Sequence, residues 1–438
     1  MYDAVIAGAG PAGSTFAGKL AEAGYKTLLV DLNKKKNIGH KICGDALSVN
    51  ALNFLKNNFG IKLTKEVIKT DINNSRIFSS DFKYSELKSG NIGGSVISRE
   101  ILGQELINNA IDKGAELLDS TSVLDFIFKN NKISGIKTSN PKKKEIKAEL
   151  IIDATGVSSV LRKNLPQNNF IENLIDKKDI AVCHRKIVKL ENFETDNKTL
   201  NFYFNPEKIK MGYFWIFPKG DSIFNIGIGI SSNLGISPKK AYEDFSKQLN
   251  LKEIKVFSEG GGAVPTRRPM NSLVYNNFML IGDAGCVVNP IHGGGIGNAF
   301  ESSFYASKTA LSALEKENCS IENLWNYNQN YMALFGKINA RYDVIKIIAG
   351  SILNKEFNSI IESNLIDYLM NPKSKLKLNF NSLKLLKTPK LVLKLMDLAL
   401  QSKRVGSIYK KYPKISDFDS WKQKENKFFD ILDSKYSP

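Results

Sequence analysis

The chain begins with the feature that most narrows its fold. An apolar run over residues 4–7 leads into Gly8-x-Gly10-x-x-Gly13, and helical spacing continues to about Gly24. A second apolar strand over 27–31 ends in Asp31, which completes a βαβ unit. Each glycine has a physical task there. Gly8 makes the tight turn, Gly10 lets backbone approach a pyrophosphate, and Gly13 permits close helix–strand packing. The helix start offers unpaired N–H groups and the positive end of a dipole to a diphosphate. Asp31 stands where an acceptor for ribose hydroxyls is needed. GxGxxG by itself also occurs in ordinary glycine turns. The flanking strand, helix and acid make this one a dinucleotide site.

Length and charge bound the rest. A chain of 438 residues is long for one core, so two or three structural units are expected. It contains no run of eighteen apolar residues, hence no transmembrane helix is expected. The first residues belong to a strand rather than to a signal peptide, which points to a cytoplasmic protein. Cys43, Cys183, Cys286 and Cys319 are scattered with no CxxC, so neither a zinc site nor a disulfide scaffold is expected. Basic residues outnumber acidic ones 62 to 44. Residues 371–427 hold 15 Lys/Arg against 4 Asp/Glu, so +11 of the +18 lies there. Aliphatic residues interleave with these cations, while stacking aromatics and RNA-binding signatures are absent. That mixture suits an anionic membrane surface better than nucleic acid, the ordinary alternative being a solvated helix face. Lys384, Lys387, Lys390 and Lys394 are the cations chosen to test such docking.

Periodicity gives the order of elements. Residues 100–113 read as an amphipathic helix, 121–126 and 132–137 as strands, and 149–156 as a strand returning to the nucleotide unit. From about 180 to 260 the pattern is antiparallel with few helical signals, and Lys219-Gly-Asp-Ser222 marks a hairpin turn. Residues 278–283 return to the first unit, a long helix follows over about 295–317, and the remainder is helical and basic. The expected fold is α/β: a Rossmann-like nucleotide-binding domain interrupted by an antiparallel β-sheet substrate domain, with a helical basic C-terminal region. The expected boundaries are 1–75, 96–165 and 277–330 for the first, 76–95 and 166–276 for the second, and 331–438 for the third.

Three further segments favour FAD over a nicotinamide cofactor. Asp283, at the end of an apolar strand, can accept from ribityl hydroxyls, and Gly293-Gly-Gly-Ile-Gly297 opens a helix whose dipole suits a reduced flavin. Arg99 follows a strand and is a phosphate or ribityl partner. Asp153-Ala-Thr-Gly156 with Arg162 reads as a second approach of backbone to cofactor. No second GxGxxG lies in a βαβ unit, so no separate NAD(P)H domain is expected.

The order of these motifs resembles the aromatic hydroxylase and glutathione reductase-like flavoproteins. Within that group, three stretches resemble the geranylgeranyl reductase family of archaeal ether-lipid metabolism. They are Lys41-Ile-Cys43-Gly44-Asp-Ala, Tyr213-Phe-Trp215-Ile-Phe217-Pro218 with Gly227-Ile-Gly229 after it, and Asn289-Pro-Ile-His-Gly-Gly-Gly295. The resemblance implies FAD held by Gly8, Gly10, Ala12, Gly13, Asp31, Cys43, Gly44, Arg99, Val123, Asp283, Gly295 and Ile296. It implies an isoprenoid lipid substrate, hydrogenation of its C=C bonds, and an electron donor such as ferredoxin or NAD(P)H.

Alternation places Tyr213, Trp215 and Phe217 on one face of a strand, as a hydrophobic core or as the wall of a prenyl-chain site. Saturating an isolated C=C needs a hydride, a proton source and exclusion of water. Cys43 and His292 are the candidate proton sources, with Lys41 and His40 expected to lower the Cys43 thiol. His184 reads as structural. The rivals are an aromatic-ring monooxygenase or halogenase on the same scaffold, and a flavin-bearing membrane-binding protein without turnover. The WxWxIP-type motif expected of a halogenase is absent.

Overall fold

The computed structural model describes residues 1–87, 93–130, 132–191, 193, 195–363, 365–366, 385 and 388–436. The opening βαβ unit forms as Tyr2–Ala7, helix Pro11–Glu22 and Thr27–Val30. Tyr2–Ala7 is the middle of a parallel sheet. Thr27–Val30 and then Glu116–Leu118 lie on one side, and Glu145–Asp153 and then Phe278–Leu280 on the other. Helices cover such a sheet on both faces, which is why its strands read as unbroken apolar runs. Helix Pro11–Glu22 packs against both Arg99–Asp112 and Ile296–Glu315. Ser98 caps Arg99–Asp112 by accepting from the Ile101 N–H at 3.4 Å. Val123–Lys129 and Lys132–Thr138 extend the sheet as an antiparallel branch.

The second layer is a seven-stranded sheet in the order Glu253–Pro265, Ile180–Leu190, Ile223–Ser231, Tyr213–Pro218, Thr199–Tyr203, Asn74–Phe78 and Tyr84–Glu86. Its pairings are antiparallel except for Thr199–Tyr203 with Asn74–Phe78. One face packs Phe214, Ile216, Ile226 and Ile228 against Tyr242 and Phe245 of helix Pro238–Gln248. That helix departs from the expectation of few helical signals in this region. Its signals were present: Ser237 as N-cap, Pro238 at the first helical position, and Tyr242, Phe245 and Ser246 on one side. The other face carries Trp215 and Phe217, packed with Ile72 and Val96.

A small sheet of Ala46–Ser48, Gly94–Ile97 and Ile68–Ile72 joins the two layers, beside helix Val49–Phe59. The C-terminal region is helical: Ile321–Tyr331 and Lys337–Ala349, joined by a π turn at Met332–Gly336, then Asn354–Glu362, Pro389–Lys410 and Phe418–Tyr436. Among the described residues no helix is long and apolar enough to cross a membrane. Arg268 ties this region to the sheets. Its guanidinium pairs with buried Asp343 at 3.2 Å and with buried Glu425, and lies 3.5 Å from the centre of the Phe429 ring. Glu425 also accepts from the Tyr409 hydroxyl at 3.0 Å.

Candidate active site

A cavity of about 570 Å³ runs between the two sheets and under the C-terminal helices. At the parallel sheet it is lined by Pro11, Lys41, Arg99, Asp283 and the turn of residues 290–296. Across the seven-stranded sheet it is lined by Cys43, Gly44, Phe202, Tyr213, Trp215 and Phe217. Under the helices it is lined by Phe357, Ile360, Leu395 and Leu398. The structure thus brings together Cys43, Gly44, Arg99, Asp283, His292, Gly295, Ile296 and the three aromatic residues, although they are spread over more than 250 positions of sequence.

The aromatic wall explains its own motif. Trp215 pairs in register with Gly227, and Tyr213 with Gly229. A Cβ on Gly227 would meet the Trp215 indole at 2.3 Å, so glycine lets the ring lie flat across the neighbouring strand. A Cβ on Gly44 would likewise meet the Phe217 ring at 2.9 Å. The Trp215 indole N–H donates to Asn225 Oδ1 at 2.9 Å, and the Tyr213 hydroxyl donates to the His292 carbonyl at 2.6 Å. Both polar ends are satisfied, as burial of such rings demands.

Asn225 is the residue that sequence reasoning missed. Its amide N–H₂ donates to the Cys43 carbonyl and to Asp45 Oδ2, each at 2.8 Å. Asp45 is buried with a φ of 63° and takes Lys219 as a partner at 2.9 Å. Lys219 also donates to the Ile97 carbonyl at 2.8 Å, so it is a buried strut rather than a solvated turn residue. The available signal was one Asn inside the otherwise apolar strand Ile223–Ser231. Together these contacts hold the Cys43 loop against the Trp215 strand.

The Cys43 thiol is not lowered in the way expected. Burial first, and then the Asp45 carboxylate, push it above the ordinary thiol value. Lys41 is drawn off to Asp283 at 2.8 Å, and His40 to Glu100 at 3.6 Å. The Asp45 backbone N–H donates to Cys43 Sγ at 3.3 Å without reversing that balance. Cys43 is therefore a neutral thiol. His292 lines the cavity and is exposed within it, and desolvation by the neighbouring walls drives its imidazole down to about 4. Its Nδ1 accepts from the Gly294 N–H at 3.1 Å, which leaves Nε2 to carry the ring proton. His184 is buried, 3.3 Å from Glu259 and edge-on to Tyr242.

Gly8, Gly10, Ala12, Gly13, Asp31 and Val123 lie outside the cavity lining. The turn they form nevertheless suits a dinucleotide. A Cβ on Gly13 would meet the Gly8 carbonyl at 1.9 Å, and one on Gly8 the Ala154 carbonyl at 2.4 Å. A Cβ on Gly10 would meet nothing within 4 Å, so the side on which a phosphate would stand is open. Asp31 Oδ2 accepts from the Ala9 N–H at 2.9 Å and Oδ1 from the Asn33 N–H at 2.8 Å, which braces the turn. Val123 begins a strand two residues after Thr121, whose N–H donates to the Asp31 carbonyl at 2.8 Å. Arg99 is only 6% exposed, and its Nε and Nη1 have no partner. A buried guanidinium of this kind calls for an acceptor-rich ligand, and FAD supplies one. Asp283 and the helix start at Ile296 line the same cavity.

Arg162 is corrected. It is fully buried, donating from Nε to Ser159 Oγ at 2.8 Å and from Nη1 to the Glu172 and Asn173 carbonyls at 3.0 Å. Asp153 caps the adjacent turn by accepting the Thr155, Leu161 and Arg162 N–H groups. Arg162 is a brace behind the parallel sheet and does not line the cavity.

Comparison with known proteins agrees with this geometry. The geranylgeranyl reductase catalytic domain family matches residues 179–264, and the FAD dependent oxidoreductase family matches residues 3–164. A digeranylgeranylglycerophospholipid reductase of Sulfolobus acidocaldarius is 30% identical over 441 residues, covering 96% of each chain. A geranylgeranyl bacteriochlorophyll reductase-like structure from Thermoplasma acidophilum has a TM-score of 0.76 at 25% identity, covering 91% of this chain and 99% of that one. A myxobacterial chondrochloren halogenase has a TM-score of 0.65 at 15% identity, covering 91% of this chain and 97% of that one, and shares the fold alone. On this coverage and identity, the chain belongs to the geranylgeranyl reductase family of FAD-dependent oxidoreductases.

Proposed function

We propose that the protein hydrogenates C=C bonds of geranylgeranyl chains in archaeal membrane ether lipids or their precursors. The observation that carries this reading is the cavity itself. It is apolar and aromatic-walled, and it leads from the Arg99–Asp283 end, where a flavin would be held, to an aliphatic end under the helices. A prenyl chain offers only apolar area and weak π contacts, which is what such a wall can grip. FAD held at Arg99 and Asp283 would supply the hydride chemistry that saturation of a C=C bond needs. The chain's own residues supply the rest. Trp215, Phe217 and Tyr213 align the substrate, and Arg99 with Asp283 would hold the cofactor. The neutral Cys43 thiol provides the proton for the adjacent carbon. Neutral His292, whose conjugate acid forms only near pH 4, is the weaker donor at neutral pH. The neighbouring helices keep water away from the reacting carbons. Because the substrate resides in a bilayer, we also propose peripheral association with an anionic membrane.

The test is to incubate the reduced holoenzyme with geranylgeranyl lipids and follow their mass. Gains in steps of two hydrogens are expected, and supplying ferredoxin or NAD(P)H in turn identifies the electron donor. No mass gain from chemically reduced, FAD-loaded enzyme in detergent would overturn the reading.

A further inference from the structure

Helix Pro389–Lys410 has two faces with different tasks. Lys394, Leu395 and Leu398 turn inward and line the cavity. Lys394 donates to both Glu356 carboxylate oxygens, at 3.1 and 2.8 Å, and to the Ser351 carbonyl at 2.8 Å. This pair fastens the helix to Asn354–Glu362. The outward face carries Leu393, Met396 and Leu400, which are 67%, 65% and 51% exposed. Their spacing of three and four residues forms one stripe along the helix. Lys390, Lys403, Arg404 and Lys410 are exposed on the same helix. Its one acid, Asp397, is taken up by Lys435 at 2.7 Å and Tyr436 at 2.6 Å.

An aliphatic stripe with cations and no free acid is the pattern of a helix lying in the headgroup region of an anionic bilayer. A protein partner of ordinary composition would not call for uncompensated cations at both ends of the stripe. We propose that the outer face of Pro389–Lys410 is the surface that docks on anionic lipid, so that the wall of the prenyl cavity is also the part in contact with the membrane. The proposal rests on the prenyl reductase reading above. It also corrects the sequence-based choice of docking lysines. Lys384 and Lys387 lie outside the described residues; of the two that are described, Lys394 is spent on Glu356 and Lys390 is exposed. Apolar residues, absent from that choice, form the middle of the surface.

The experiment uses the FAD-loaded enzyme and vesicles of phosphatidylcholine with or without phosphatidylglycerol. The parent is expected to sediment with the anionic vesicles at low salt and to leave them as salt rises past physiological strength. Leu393→Ser/Met396→Ser/Leu400→Ser is expected to weaken sedimentation at least tenfold and to lower activity on vesicle-borne substrate to match. Its flavin absorbance and its activity in detergent should stay within twofold, because none of the three residues lines the cavity. Met396→Trp provides an independent reading: its added emission should shift to the blue on anionic vesicles. Parent-like sedimentation by the triple variant, or no shift for Met396→Trp, overturns the proposal. So does a dimeric parent that the triple variant converts to a monomer, since the face would then join two copies. Loss of the mass gain in detergent would instead strike at the reductase reading and leave the vesicle result to stand alone.

Discussion

At the residue scale, two close contacts and one open space make the site testable. The side of Gly10 where a Cβ would stand is open, the room a diphosphate would need, so Gly10→Val should yield a folded protein without flavin absorbance. Retention of stoichiometric FAD would show that the turn has been misread. Gly227 lies against the Trp215 indole, and Gly227→Val should displace that ring with no change at the cofactor. The expected outcome is a rise in KM that grows with prenyl chain length, while FAD content is unchanged. Trp215→Ala should do the same, and an equal effect on all chain lengths would return Trp215 to a core role. Cys43 gives a pH prediction. Because burial holds its thiol above the ordinary value, the acid form persists through neutral pH, and activity should fall only as pH rises past the usual thiol range. Cys43→Ala should keep its flavin, lose about 10²–10⁴-fold in prenyl reduction, and lack that alkaline limb. These residues were legible in the sequence because motif chemistry is local. The direction of the Cys43 shift was not, because it depends first on how deeply the fold buries the loop, which Asn225 of a distant strand holds in place.

At the element scale, sheets and long helices were readable because their periodicity is a property of consecutive residues. Reading placed strands and helices close to their observed ends, as with Arg99–Asp112 and Ile296–Glu315. The misses were elements whose signals are short or whose partners are remote. Helix Pro238–Gln248 sat in a stretch dominated by strand patterns, and the three-stranded sheet exists only because distant segments pair. The junction of the C-terminal helices with the sheets is of the same kind. It depends on the buried Arg268 guanidinium between Asp343 and Glu425. Arg268→Met leaves buried Glu425 without its cation and Asp343 with Lys346 alone, and should cost about 3–5 kcal/mol in denaturant unfolding. Limited proteolysis should then cut first in the C-terminal helices. A parent-like melting curve would mean that water replaces the cation without penalty.

At the scale of the whole molecule, stability and function share one interior. Glu301, on the helix that opens at the glycine-rich turn, is pushed up to about 8 by burial, next to Tyr305 and Tyr331. Its folded pKa exceeds its unfolded value near 4.3. The folded state therefore holds the extra proton, and stability falls as pH rises from about 4.3 to about 8. Glu301→Gln should add roughly 1–3 kcal/mol at pH 8 and nothing at pH 4, as read by denaturant melts at both values. Equal melts at pH 8 would show that the carboxyl reaches water. What the sequence determined by itself was the βαβ unit and its glycine turn, the FAD-dependent chemistry, and the alternation of Tyr213, Trp215 and Phe217, since each is written in neighbouring residues. Tertiary structure alone decided that Arg162 is a brace, that Lys41 serves Asp283 rather than Cys43, and that Lys394 is a latch. It also decided that a C-terminal helix lines the cavity. Those outcomes depend on which buried charge meets which partner, and desolvation makes that choice only when distant segments come together.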